Sequence, residues 1–145
     1  GKTAFAQGFG RALGVTEPIT SPTFTLVHSY PCRGKLTLHH ADLYRLDSTA
    51  DVEDLALLEL ASFDGIVLVE WGDVASAGFG DHLEVRLTHR HDDPSQDPDD
   101  GRDVADEFAE EFADDGVREI ELSATGATWA GRWDRLVAAL GEYRA

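Results

Sequence analysis

The spacing of apolar positions changes several times along the chain, and each change predicts a different element. Residues 2–13 carry Phe5, Phe9, Ala12 and Leu13 at helical spacing, with Gly14 as a stop signal, so a helix is predicted there. Segments 24–30 and 36–41 are short β-rich runs separated by Pro31, Arg33 and Gly34, the pattern of two hairpin strands. Within 49–61, Val52, Leu55 and Leu58, with Ala56, fall on one helical stripe, preceded by the cap candidates Ser48 and Thr49 and followed by Asp64-Gly65. Ile66-Val67-Leu68-Val69 is a continuous apolar run of the kind that buries both faces in a parallel sheet, and it ends on Glu70-Trp71.

Beyond that run the period becomes two. Leu83, Val85 and Leu87 alternate with Glu84, Arg86 and Thr88, and Ile120 and Leu122 alternate with Glu119, Glu121 and Ser123, which predicts two half-exposed strands. Trp129, Trp133, Leu136, Val137 and Leu140 then form the apolar stripe of a closing helix. Between the two strands, 91–101 reads as a solvated loop, with Phe108 and Phe112 as anchors of a short helix.

Composition sharpens this outline. The 145 residues are one domain's worth of sequence and carry a net charge of −16, of which 92–116 contributes twelve acids and one arginine. The acidity is therefore largely a local insertion, and with no basic stripe in view, binding to duplex DNA is disfavoured. No run approaches the roughly 18 apolar residues of a membrane helix, so no membrane association is predicted. Cys32 alone can form no intrachain disulfide, and a reducing, cytoplasmic setting is expected. It reads as a loop thiol. His89 and His91 lack the accompanying ligands of a zinc site, and no zinc is predicted. The chain has no methionine and opens on Gly1-Lys2-Thr3, so it is expected to be part of a longer product.

Gly1-Lys2-Thr3 opens the first helix where the last three positions of a phosphate-binding loop, G-x-x-x-x-G-K-[ST], would stand. In such a loop Lys2 reaches the terminal phosphates and the Thr3 hydroxyl holds magnesium; the alternative is an ordinary helix start. Ser21-Pro22-Thr23-Phe24-Thr25 gathers three hydroxyls around a proline, either as a phosphate-sensing switch or as a hydroxyl-rich turn. His40 and Asp42 share one face at the end of a strand. Asp42 is a candidate base or organiser of magnesium-bound water, and a structural His40–Asp42 or Asp42–Arg45 pair is the competing reading. Glu70 ends the apolar strand on the ligand edge of an open α/β sheet, where an acid can bind magnesium, or else caps the following turn. Trp71 packs either beside that site or in the core.

In this order GKT at 1–3, SPTFTLV at 21–27, HADLYRL at 40–46 and LVEW at 68–71 resemble the TsaE (YjeE) family of small P-loop ATPases. The resemblance implies a single α/β P-loop NTPase domain over 1–145, a central mixed sheet flanked by helices. It also implies that the first strand and the start of the phosphate loop are lacking, and that 92–116 is an acidic insertion. It further implies that Gly1, Lys2, Thr3, Thr23, Thr25 and Arg118 contact ATP, that Thr3 and Glu70 hold Mg²⁺, and that Asp42 and Glu70 are catalytic. The implied function is ATP hydrolysis in support of threonylcarbamoyladenosine modification of tRNA, with a TsaD–TsaB complex as partner and tRNA reached through that complex. A nonhydrolytic protein-binding module with a vestigial phosphate loop is the alternative from another class. A small-molecule phosphotransferase lacks an evident acceptor motif.

Overall fold

The computed structural model describes residues 1–22, 25–46, 55–73, 78–89 and 118–143. They form mixed α/β structure in two compact units, Gly1–His82 with Ala124–Ala145, and Leu83–Ser123.

In the first unit, helix α1 (Lys2–Leu13) has the predicted limits and ends on Gly14, whose φ of +88° places it in the left-handed region that glycine adopts without strain. Its buried residues are Ala6 and Gly10. A Cβ on Gly10 would collide with Ile19 and press on Leu38, so the missing side chain is what lets the helix lie close to the sheet. Strands β1 (Val27–Pro31) and β2 (Thr37–Asp42) pair antiparallel from Val27 opposite Ala41 to Pro31 opposite Thr37, the expected hairpin. Leu36, expected to open the second strand, instead closes the turn, its carbonyl accepting from the Cys32 N–H at 3.0 Å. Cys32 is free and half-buried, as a loop thiol should be.

Strand β3 (Gly65–Glu70) lies parallel to β2, giving a three-stranded mixed sheet in the order β1-β2-β3. Its apolar run is only half-buried, yet both faces pack. Ile66 and Leu68 meet the cluster of Ala6, Val15, Ile19, Tyr30 and Leu38, whereas Val67 and Val69 meet that of Ala41, Leu43 and Leu57. Helix α2 is shorter than the sequence predicts where it is described, covering Leu57–Leu60, and the Val52 position lies outside the described residues. Ala56 has φ +50°, which breaks the helical phase expected through it. Leu57 consequently turns inward while Leu58, placed on the apolar stripe by its spacing, is exposed.

The last two strands have the predicted alternation. Strands β4 (His82–His89) and β5 (Arg118–Thr125) pair with each other in a two-stranded sheet. Their alternating pattern supplies a single apolar face, and their polar positions satisfy one another: Ser123 Oγ donates to Glu84 Oε2 at 3.2 Å, and Arg86 lies 3.9 Å from Glu121. Helix α3 (Ala127–Ala139) follows, with Trp129, Trp133, Leu136, Val137 and Leu140 half-buried as the stripe predicts. The Asp81 carboxylate caps its first turn, accepting from the Thr128 N–H at 2.8 Å and the Thr128 hydroxyl at 2.7 Å. The Phe108 and Phe112 anchors, His91 and the whole acidic insertion 92–116 lie outside the described residues. Among the described residues no helix is long and apolar enough to cross a membrane.

Candidate functional site

The face of the sheet that carries α1 changes character along its length. Side chains alternate across a strand, so Leu38, His40 and Asp42 of β2 lie on one face. In the parallel register Leu38 stands opposite Ile66, His40 opposite Leu68, and Asp42 opposite Glu70. The face is therefore apolar at its start and acidic at the carboxyl ends of the two strands. Both acids are buried, Asp42 being 6% exposed and Glu70 7%.

Each acid is held by its neighbours. Asp42 Oδ1 accepts the Tyr44 N–H at 3.0 Å, and its Oδ2 accepts the Ser21 hydroxyl at 2.5 Å. The first bond is the local turn that aspartate favours; the second joins Ser21 to the strand end. Glu70 Oε1 lies 2.9 Å from Nε2 of His40, which is fully buried. Hydrogen bonds to a carboxylate contribute about 1.5–3 kcal/mol each, enough to hold one rotamer.

The sequence puts His40 and Asp42 on one face and offers a His40–Asp42 or an Asp42–Arg45 pair as the structural reading. They do share a face, but each pairs elsewhere, His40 with Glu70 and Asp42 with Ser21. The signal for the His40–Glu70 pair was present in the two-residue spacing of His40 and Asp42, and only the parallel register completes it.

Immediately beyond Glu70 the chain turns sharply. Trp71 has φ +60°, a conformation that costs a bulky residue on the order of 1–3 kcal/mol and is found where surrounding structure holds it in place. This turn brings the indole out of the core to 40% exposure, against Tyr44 with ring centroids 5.2 Å apart. The Lys2 ammonium lies 4.3 Å from the centre of the same indole. Of the two readings of Trp71, packing in the core is not observed; the ring lies against Tyr44 and Lys2. Tyr44, 61% exposed, was not singled out as a site residue in the sequence.

Lys2 and the half-buried Thr3 stand in the first turn of α1, behind the N-cap Gly1, whose carbonyl accepts the Phe5 N–H at 2.9 Å. That turn holds no acidic residue and no capping side chain. A lysine there adds positive charge to the positive end of the helix dipole, an arrangement that disfavours a bare helix and favours a bound anion. The structure thus brings Lys2, by way of Trp71, to the strand end that carries Asp42 and Glu70. Thr25 is exposed in the segment ahead of β1, Thr23 lies outside the described residues, and Arg118 opens β5, half-buried.

Residues 1–98 match the family model of the threonylcarbamoyl adenosine biosynthesis protein TsaE. The chain belongs to the TsaE family. Three curated relatives, each called tRNA threonylcarbamoyladenosine biosynthesis protein TsaE, show how the likeness is distributed. The protein of Treponema pallidum is 47% identical over 73 residues, covering 50% of this chain and 53% of its own. That of Nostoc is 38% identical over 96 residues (61% and 56%), and that of Bacillus subtilis 45% over 71 (49% and 43%). The chain spans about half the length of the curated relatives it matches. The TsaE match includes Lys2, Thr3, Asp42 and Glu70 and stops short of Arg118.

Proposed function

We propose that this TsaE chain carries the nucleotide site of a magnesium-dependent ATPase that supports threonylcarbamoyladenosine modification of tRNA as partner of a TsaD–TsaB complex. The observation that carries the reading is the in-register placement of Asp42 and Glu70 at the carboxyl ends of two parallel strands, with Lys2 held over the neighbouring Trp71. In open α/β sheets that edge is where ligands bind. The names of the relatives support the tRNA-modification role.

The donor set suits Mg²⁺. Glu70 and Thr3 offer hard oxygen ligands, and Asp42 a second carboxylate on the same edge. Among the described residues no group of three or more His, Cys, Asp or Glu side chains is arranged to hold a metal unaided, whereas Mg²⁺ is ordinarily held by one or two carboxylates together with phosphates and water. Magnesium, when bound, supplies neutralisation of the charge that develops on the transferred phosphoryl group. Lys2 binds the phosphates at the positive end of α1. Asp42, fixed by Ser21 and the Tyr44 N–H, orients the attacking water at its carboxylate, and Glu70 holds the ion or a water on it. Thr25 adds a hydroxyl contact to the nucleotide in this reading.

The test is ATP binding and hydrolysis by the full-length protein, with and without the TsaD–TsaB complex. Magnesium-dependent binding that disappears in Lys2→Ala, with hydrolysis raised by the complex, is the expected result. Identical rates with and without the complex oppose the coupling, and binding indifferent to magnesium and to Lys2 opposes the ATPase. The exposed Tyr44–Trp71 pair favours a second reading, a nonhydrolytic protein-binding module, under which partner binding is unchanged without nucleotide.

A further inference from the structure

His40 is fully buried, and its two ring nitrogens are in opposite situations. Nε2 faces Glu70 Oε1 at 2.9 Å, while Nδ1 is buried with no hydrogen-bond partner among the described residues. Because an ionised carboxylate only accepts, the Nε2 position must supply the N–H. An unpaired ring nitrogen in a dry interior costs stability that an apolar side chain of similar size would not cost. Packing alone therefore gives no reason for a histidine here. What the ring supplies is a fully buried donor on β2 that occupies one oxygen of Glu70 and fixes the direction of the second.

We infer that His40 is a positioning residue: through Nε2–H it holds the Glu70 carboxylate in the single orientation in which it engages the cation that accompanies the nucleotide. The inference rests on the ATPase reading above and names no contact between His40 and the nucleotide itself. Groups that orient a metal-binding carboxylate in this way typically change metal affinity by about 10–100-fold when removed.

The experiment compares full-length wild type with His40→Gln, His40→Asn and His40→Leu. A glutamine amide reaches the place of Nε2, an asparagine amide only that of Nδ1, and leucine offers no donor. ATP affinity is measured by calorimetry in Mg²⁺ and again in EDTA, with the melting temperature of each variant alongside. In Leu and Asn variants the gain in affinity on adding Mg²⁺ is expected to fall about tenfold or more, with affinity in EDTA within about twofold of wild type, and the Gln variant to recover most of the gain. If the Leu variant does not fold, the Gln and Asn pair, equal in chemistry and differing by one methylene, carries the comparison. An undiminished magnesium gain in the Asn or Leu variant overturns the inference. So does an equal fall of affinity with and without Mg²⁺, or a Gln variant no better than Asn. A wild type that does not bind ATP at all fails the ATPase reading instead, a different result from any of these.

Discussion

In the parallel pair β2–β3, two acids and a histidine are buried at the strand ends and each is held by a specific partner, whereas in the β4–β5 ribbon Arg86 is exposed and pairs with the exposed Glu84 on its own strand and with the exposed Glu121 across the ribbon. The residue types are similar and the physics is opposite. A buried carboxylate must be paired and thereby acquires one orientation, while an exposed pair is screened by water and adds at most about 1 kcal/mol. Charge alone thus says little about function in so acidic a chain. The informative acids are Asp42 and Glu70, which stand where the apolar face of the sheet runs out.

The contrast can be broken most severely through the face that supports those acids. Leu38, fully buried two residues ahead of His40, is expected to lower stability by about 2–5 kcal/mol as Leu38→Ala, measured by urea unfolding; a loss under 1 kcal/mol would mean that the β2 face is not the core. Next comes the acid itself. Asp42→Asn keeps the shape and removes the charge, and ATP turnover is expected to fall about a hundredfold or more, against no measurable change for Glu84→Gln. Equal effects of the two substitutions would erase the distinction between the strand pairs. Smaller still, Arg86→Ala is expected to change stability by no more than about 0.5 kcal/mol, since its partners Glu84 and Glu121 remain in water.

The smallest effect is a pH dependence at the start of the ribbon. The Thr128 backbone N–H, and after it the Thr128 hydroxyl, hold the Asp81 carboxyl below its ordinary value of 3.8. A group whose value is lowered on folding stabilises the folded state above its unfolded value, and that contribution is lost as pH falls through the folded value. The cap on α3 is accordingly complete at neutral pH and fades below about pH 3.8. Circular dichroism of wild type against Asp81→Ala in acid should show the difference between them shrinking as pH falls; a constant difference would contradict the cap.

Local pattern carried much of this structure. The spacing of Phe5 and Phe9 and the stop at Gly14 were enough for α1, and the runs on either side of Gly34 for the hairpin, because the information for both lies within a few residues. The positions of Asp42 and Glu70 at strand ends were likewise legible. What was not legible is non-local: neither β2 nor β3 contains, by itself, the register that sets Asp42 beside Glu70 and turns His40 toward that glutamate. Alternation announced β4 and β5 as half-exposed strands without naming their partner, which the two-stranded ribbon supplies. Leu58 was misplaced because one left-handed residue, Ala56, resets the helical phase. Trp71 looked ambiguous because hydropathy favours a core, and only its positive φ explains how an indole leaves it.

The central claim is that the cation accompanying ATP sits at the ends of β2 and β3. Replacing Mg²⁺ by paramagnetic Mn²⁺ in the presence of ATP, and recording amide spectra of the full-length protein, locates the ion directly. The account predicts signal loss centred on Lys2 and Thr3, Asp42 and Glu70, and lost from that group in Lys2→Ala. Broadening centred instead on Glu84 and Glu121, or spread evenly over the acidic surface, would contradict it.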